Sequence, residues 1–312
     1  MCDFFPVSGD EIRNWDGRDA GFLIKLDSHG IFPGNGEDAE SFRARLLTEY
    51  NYIQSVNNPD AQKKDKIILW QSEDRKDKLE VRNQDRIDKN LFLPAWEKTR
   101  ELYDFSVDYV PGFYLFEKVG LLWGGCSIYD DESQMKVFLL RPAFRNKNRF
   151  LIYSRDELIA HELCHCARQV LHDHKIEEYF AYQTSSSPLR RYIGNCFIKS
   201  SDALIFLLPA LMLPIAQAIK NFIFQSLPIW PFTLLIIASI SYFLIRNQHS
   251  RNVISKARRN LAPYSSKPEA ILFRSDFSEL KKLSISFEKY YSSLSPIRKT
   301  IIDALLNKNP HN

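Results

Sequence analysis

The sequence predicts an α+β chain in which a small antiparallel sheet lies over a helix bearing two histidines, followed by a two-helix transmembrane hairpin and a helical tail. Three observations predict this order. Short β-favouring runs separated by glycine or acidic residues fill the stretch between Val110 and Phe144. A helix-start signal at Ser154 leads into His161 and His165, four residues apart. Two uncharged runs of 17 and 19 residues, 203–219 and 227–245, come after them. Each is near the length needed to span about 30 Å of hydrocarbon as helix. The chain thereby divides into 1–200, a hairpin over 203–245 and a tail over 246–312.

Each element follows from its residues. From Ser41 to Phe105, apolar positions such as Leu46, Leu47, Tyr50 and Ile53 recur at three- and four-residue steps, which predicts several surface-exposed helices. Within it, 65–90 is dense in both charge signs and predicts a solvated helical face. The runs 112–117 (GFYLFE), 121–131 (LLWGGCSIYDD) and 136–144 (KVFLLRPAF) predict the strands. Ser154 and Glu157 have capping-box spacing for a helix that starts at once, and a second helix starts near Lys175. Pro209, Pro214, Pro228 and Pro231 are better tolerated in or near membrane helices than in soluble ones. Arg190, Arg191 and Lys199 precede the hairpin, Arg246, Arg251, Lys256, Arg258 and Arg259 follow it, and only Lys220 lies between. That asymmetry predicts a two-span membrane protein with the first 200 residues and the tail in the cytoplasm. Helix-spaced apolar positions in the tail (Leu280, Leu283, Ile285; Ile301, Ile302, Leu305, Leu306) predict short helices on the membrane surface or against the first domain.

Composition narrows the function classes. With 45% hydrophobic and 26% charged residues, the membrane part is a minority of a globular chain. A net charge of +4 from 42 basic and 38 acidic residues, without a basic stripe interleaved with aromatics before residue 200, argues against a nucleic-acid partner. The five cysteines, Cys2, Cys126, Cys164, Cys166 and Cys196, are odd in number and lack CxxC spacing. They fit neither a disulfide framework nor a thiolate zinc finger and point to a reducing compartment. The first 22 residues carry acidic groups and no apolar run of leader length.

The chemistry lies in His161-Glu162-Leu163-Cys164-His165. Two histidines one helical turn apart share a face and reach one metal ion, while the glutamate after the first projects beside it. Zinc polarises a water there, and Glu162 takes its proton and later delivers one to the leaving amine. Cys164 and Cys166 are each turned about 100° from His165 and are expected to line the core.

This pattern resembles the zincin metallopeptidases, in which an HExxH helix packs under a small sheet whose edge strand holds the substrate. The resemblance covers about Gly112 to Ser186. The metzincin class is excluded, because Arg168 and Leu171 stand where it needs glycine and histidine. His172 lies about 10 Å further along the helix axis than the histidine pair, so it and His174 are expected to cap or to face solvent. The gluzincins take their third ligand from a glutamate on a second helix, often with Ala three residues on and then Asp. Here Glu178 and Ala181 match, and Tyr182 stands at the Asp position. The resemblance therefore implies Zn2+ held by His161, His165 and Glu178, with Glu177 as the alternative third ligand and Glu162 as general base. Tyr182 is then expected to orient an imidazole, and Tyr179, Tyr182, Arg190 or Arg191 to stabilise an oxyanion. The strand 123–127 (WGGCS), where two glycines let an extended peptide approach, is the expected substrate edge or a plain bulge.

The expected activity is that of a membrane-anchored, zinc-dependent endopeptidase acting on protein or peptide substrates. An intramembrane protease is disfavoured, since Arg155, Asp156, Glu157 and Arg168 bracket the motif. A peptide deformylase, with Cys126 as ligand, lacks that family's other segments. The alternative from another class is a catalytically silent, membrane-tethered zinc-binding adaptor, against which Glu162 argues.

Overall fold

In the computed structural model, which describes residues 4–71, 78–116, 120 and 123–307, local capping signals set most helix starts. Short helices α1 (Gly9–Asn14) and α2 (Ala20–Ser28) begin at Ser8 and Asp19, whose side chains accept the exposed backbone N–H groups of the first turn. Asp38 does the same for α3 (Ala39–Asn57), and α4 (Pro59–Lys63) follows. The chain then forms a hairpin of β1 (Lys66–Gln71) and β2 (Lys78–Arg82). Most of the helical face expected over 65–90 is thus a two-stranded ribbon where it is described, followed by short 3-10 turns at Asn83–Asp85 and Lys89–Phe92. Ile67, Leu69 and Val81 point inward at every second residue, while Glu80 pairs with Lys66 at 2.7 Å and with Lys78 at 2.6 Å on the other side. Dense mixed charge is as compatible with cross-strand pairs as with a helix face, and the period of two decides.

After α5 (Leu93–Tyr103) comes a sheet of β3 (Gly112–Tyr114), β4 (Gly125–Asp130) and β5 (Met135–Leu140) in the order β3-β5-β4. It is mixed rather than antiparallel: β4 and β5 form a hairpin, whereas β3 runs parallel to β5. The long connection between β3 and β4 lets β5, buried along its whole length, slot between them. Leu121, Leu122 and Glu117 of the expected strands, like Cys2, lie outside the described residues. Buried Lys136 on β5 bonds Glu49 of α3 at 2.7 Å, and Tyr109 donates to the same carboxylate at 2.9 Å. This buried pair pins α3 to the sheet.

Two short strands, β6 (Arg149–Phe150) and β7 (Tyr153–Ser154), lead into α6 (Arg155–Arg168), and α7 (Glu177–Tyr182) and α8 (Pro188–Ile193) follow. The helix begins where the sequence places it, but the capping box does not form. Glu157 instead accepts from the Ser186 N–H at 3.0 Å and from Arg190 at 2.7 Å.

The hairpin consists of α9 (Ser200–Phe222) and α10 (Trp230–Leu261), both long and apolar enough to cross a membrane. Little of either apolar window is buried within the chain, 11% and 17%, so these are not core helices of the kind that imitate a span. Leu204, Leu208, Leu211 and Ile215 on α9, and Leu234 and Ile237 on α10, are exposed. At its base, Arg246 of α10 grips Asp202 of α9 with both terminal nitrogens. Beyond the apolar run α10 continues without a break into the tail, α11 (Pro268–Phe273), α12 (Phe277–Leu283), α13 (Phe287–Tyr291) and α14 (Pro296–Asn307).

The tail packs on the first part of the chain, and Ile271, Leu272, Phe273, Ile301 and Ile302 share one core with Leu26, Phe105 and Leu163. Arg274 forms a buried two-pronged pair with Asp27 of α2. Arg168, at the end of α6, donates to the Phe273 and Ser275 carbonyls with its guanidinium against the Phe180 and Phe273 rings. These contacts fix the position of α6.

Candidate metal centre

The site is built where α6 and α7 meet beneath β4. One face of α6 (Ile159, Ala160, Leu163, Cys164, Cys166 and Ala167) is buried in the core. This places Cys164 and Cys166 as core-lining thiols. The opposite face turns His161 and His165 toward α7. Their Nε2 atoms stand 3.1 Å apart. Glu178 brings its carboxylate oxygens to 3.5 Å from each of them.

His161, His165 and Glu178 thus form a cluster whose ligand atoms all lie within 4.8 Å of one another. Donors of a small tetrahedral ion bonded at about 2.1 Å sit about 3.4 Å apart. The two imidazole nitrogens, 3.1 Å apart, lie near that spacing, and Glu178 turns a different oxygen to each of them at 3.5 Å. Two imidazoles and a carboxylate are also the donor types that such an ion takes, so the residues present fit a bound divalent metal.

The groups around the cluster hold its members in orientation. Glu177 accepts a hydrogen bond from Nδ1 of His165 at 2.9 Å, which leaves Nε2 facing the cluster. The sequence offered Glu177 only as an alternative ligand, and the structure gives it this supporting position instead. The signal was present in the adjacency of two acids on one helix, whose side chains point about 100° apart. His161 is held by the Ala181 carbonyl, and the Tyr182 ring packs edge-on against it with centroids 4.7 Å apart. Tyr182 therefore meets the imidazole it was expected to orient through ring packing. Gly194 allows this, since a Cβ there would lie 2.2 Å from the Tyr182 ring.

Glu162 is buried beside the cluster, and Ser127 of β4 is among the groups that favour its charged form. Burial pushes its carboxyl up to about 7 against the pull of His165. Burial also holds His161 well below the ordinary histidine range, helped by the charge on His165. For His165 burial acts the same way, but the Glu177 hydrogen bond and the charges of Glu178 and Glu162 outweigh it and hold the ring at about 9. Burial raises Glu178. These opposed shifts mark a polar cluster kept out of water.

Of the four oxyanion candidates, Tyr182 and Arg190 line a cleft of about 200 Å3 with His161 and Glu162. Tyr179 is buried and meets Arg258, and Arg191 binds the Ser185 carbonyl. Cys126 lies on β4 near Glu162, where burial pushes its thiol up to about 11, and it is not part of the cluster. His172 ends the 3-10 turn that follows α6 (Gln169–Leu171) in the left-handed region, with φ 46°, and His174 is exposed. Gly124 and Gly125 also line the cleft, and a Cβ on Gly125 would meet the Leu139 carbonyl at 2.8 Å. Among the described residues β4 pairs with β5 alone and is an edge strand. A second cavity of about 570 Å3 opens from the Glu178 and Tyr182 side and is walled by Phe197, Phe206, Ile240 and Phe243 at the base of the hairpin.

No family model, curated protein or solved structure matches the chain.

Proposed function

We propose that this protein is a membrane-anchored, zinc-dependent endopeptidase. The observation that carries the reading is the joint placement of His161, His165 and Glu178 around one point, with the Glu162 carboxylate beside them. His161, His165 and Glu178 hold the ion. Bound zinc supplies Lewis acidity toward a water and toward the carbonyl of the bond to be cut. Glu162, buried beside the cluster, takes the proton of the attacking water and returns it to the leaving amine. Its raised affinity for a proton suits both halves of that task. Arg190 and Tyr182 face the same cleft and stabilise the charge that develops on the carbonyl oxygen. An extended substrate pairs with the edge of β4, where the glycine pair leaves room for its backbone.

In the same reading α9 and α10 cross the bilayer, and the excess of Lys and Arg on both flanks keeps the cleft on the cytoplasmic side. The apolar cavity beside Glu178 favours substrates with large apolar side chains next to the scissile bond, drawn from membrane or membrane-proximal proteins.

Full-length protein in detergent, assayed for bound zinc and for casein hydrolysis, tests this. The expected result is one zinc per chain and activity abolished by a chelator and restored by zinc. Glu162→Gln keeps the metal and loses about a thousandfold in rate, and Glu178→Ala loses both. A zinc-free wild-type protein sinks the reading. A Glu162→Gln protein that binds zinc and keeps its biological effect establishes the adaptor instead.

A further inference from the structure

A cavity of about 620 Å3 lies at the foot of the hairpin, away from the cleft. Four parts of the chain meet there: Lys175 before α7, Ile198 and Lys199 before α9, Tyr242 to Ser250 on α10, and Phe277 and Lys281 on α12. The charges around it have one sign. Lys175, Lys199, Arg246 and Lys281 line it beside the His249 ring, and no carboxylate does.

Arg246 is already committed to Asp202 and the Cys196 carbonyl. Among the described residues, Lys175, Lys199 and Lys281 form no ion pair. The Lys175 and Lys281 ammonium groups stand 5.5 and 5.0 Å from the centroid of the Phe277 ring, and the His249 ring packs on the same phenylalanine at 6.3 Å. Asp173 and Asp276 border the adjoining cavity, but both are occupied with backbone N–H groups. Asp173 accepts from Phe277 at 2.6 Å, and Asp276 from Glu279 at 2.6 Å. Across the two cavities Lys175, Lys199, Lys281 and Arg246 still outnumber these two carboxylates.

Its depth matters as much as its sign. The cavity straddles the point on α10 where the apolar run ends, with Tyr242 and Ile245 exposed on one side and Arg246 and His249 on the other. In a helix that crosses a bilayer this is the level of the lipid phosphates, with hydrocarbon beginning one turn away. We propose that this cavity binds an anionic phospholipid of the surrounding leaflet. Its phosphate lies among the Lys175, Lys199 and Lys281 ammonium groups, and its acyl chains run along Tyr242, Ile245 and Ile198. The site rests on the membrane-crossing reading of α9 and α10 and is independent of catalysis. Because Lys281 belongs to the tail and Lys199 to the start of α9, a bound headgroup ties the tail to the hairpin.

The test is native mass spectrometry of full-length protein in detergent, titrated with phosphatidylglycerol, phosphatidylcholine, or inorganic phosphate. The expected result is one phosphatidylglycerol bound at least tenfold more tightly than phosphatidylcholine, with no comparable binding of inorganic phosphate. Changing all three lysines (Lys175→Gln, Lys199→Gln, Lys281→Gln) lowers its affinity about 100-fold, while the Arg versions of the same changes retain it. If the triple Gln protein does not fold, Lys199→Gln alone is expected to lose about fivefold. Unchanged affinity in the Gln variants overturns the proposal. So does inorganic phosphate binding as tightly as the lipid, which marks a site for a soluble anion.

Discussion

The α6–α7 pair and the α9–α10 hairpin depart from the ordinary arrangement of a protein in opposite ways. Between α6 and α7, ionisable groups are packed away from water, with Glu162 buried and His161, His165 and Glu178 largely so. Along α9 and α10, large apolar side chains such as Leu211 and Ile237 stand exposed. Either departure costs free energy in water unless something outside the chain compensates it. In the proposed function a cation compensates the first and a hydrocarbon solvent the second. The comparison then teaches that each region names the partner it would need by its own chemistry.

The largest expected effect comes from the polar frame that holds α6. Arg168→Ala leaves the Phe273 and Ser275 carbonyls buried without their donor, and unfolding free energy should fall by about 3–5 kcal/mol. Chemical denaturation in detergent measures it, and a loss under 1 kcal/mol means that the frame is ornamental. Leu211→Arg probes the other region. An arginine in mid-bilayer costs about 3 kcal/mol relative to leucine, so the fraction of chain resisting alkaline carbonate extraction should drop sharply. No change would show that α9 faces water.

Smaller effects sharpen the metal side. Glu177→Ala removes the support of His165 but no ligand, and zinc affinity measured by chelator competition should weaken about 10- to 100-fold. Glu178→Ala should weaken it more, and the reverse ranking would exchange the roles of the two acids. His172→Ala should leave zinc affinity unchanged and stability within about 0.5 kcal/mol, since the ring points to solvent beyond the end of α6. A metal-affinity loss there would mean that the helix end rearranges on binding.

The two regions were also unequally legible. His161, Glu162 and His165 could be read from their spacing because an α-helix converts a four-residue step into one face. The hairpin could be read because an uncharged run of span length carries its own signal. The ribbon of β1 and β2 was not, since Lys66, Glu80 and Lys78 satisfy a helical charge pattern and a cross-strand ladder equally well. The parallel pairing of β3 with β5 was hidden because it depends on a connection outside any local window.

By itself, then, the sequence determined the helix with its two histidines and glutamate, the acidic pair on the helix after it, and the two apolar spans. Those are short-range matters of period, charge and run length. Only the tertiary structure decided that Glu178 meets both imidazoles while Glu177 braces one of them, that Ser127 reaches Glu162, and that Arg168 and Arg274 bind the tail into the core. Each of those depends on the angle and separation at which distant segments pack, and long-range packing of that kind leaves no periodicity along the chain.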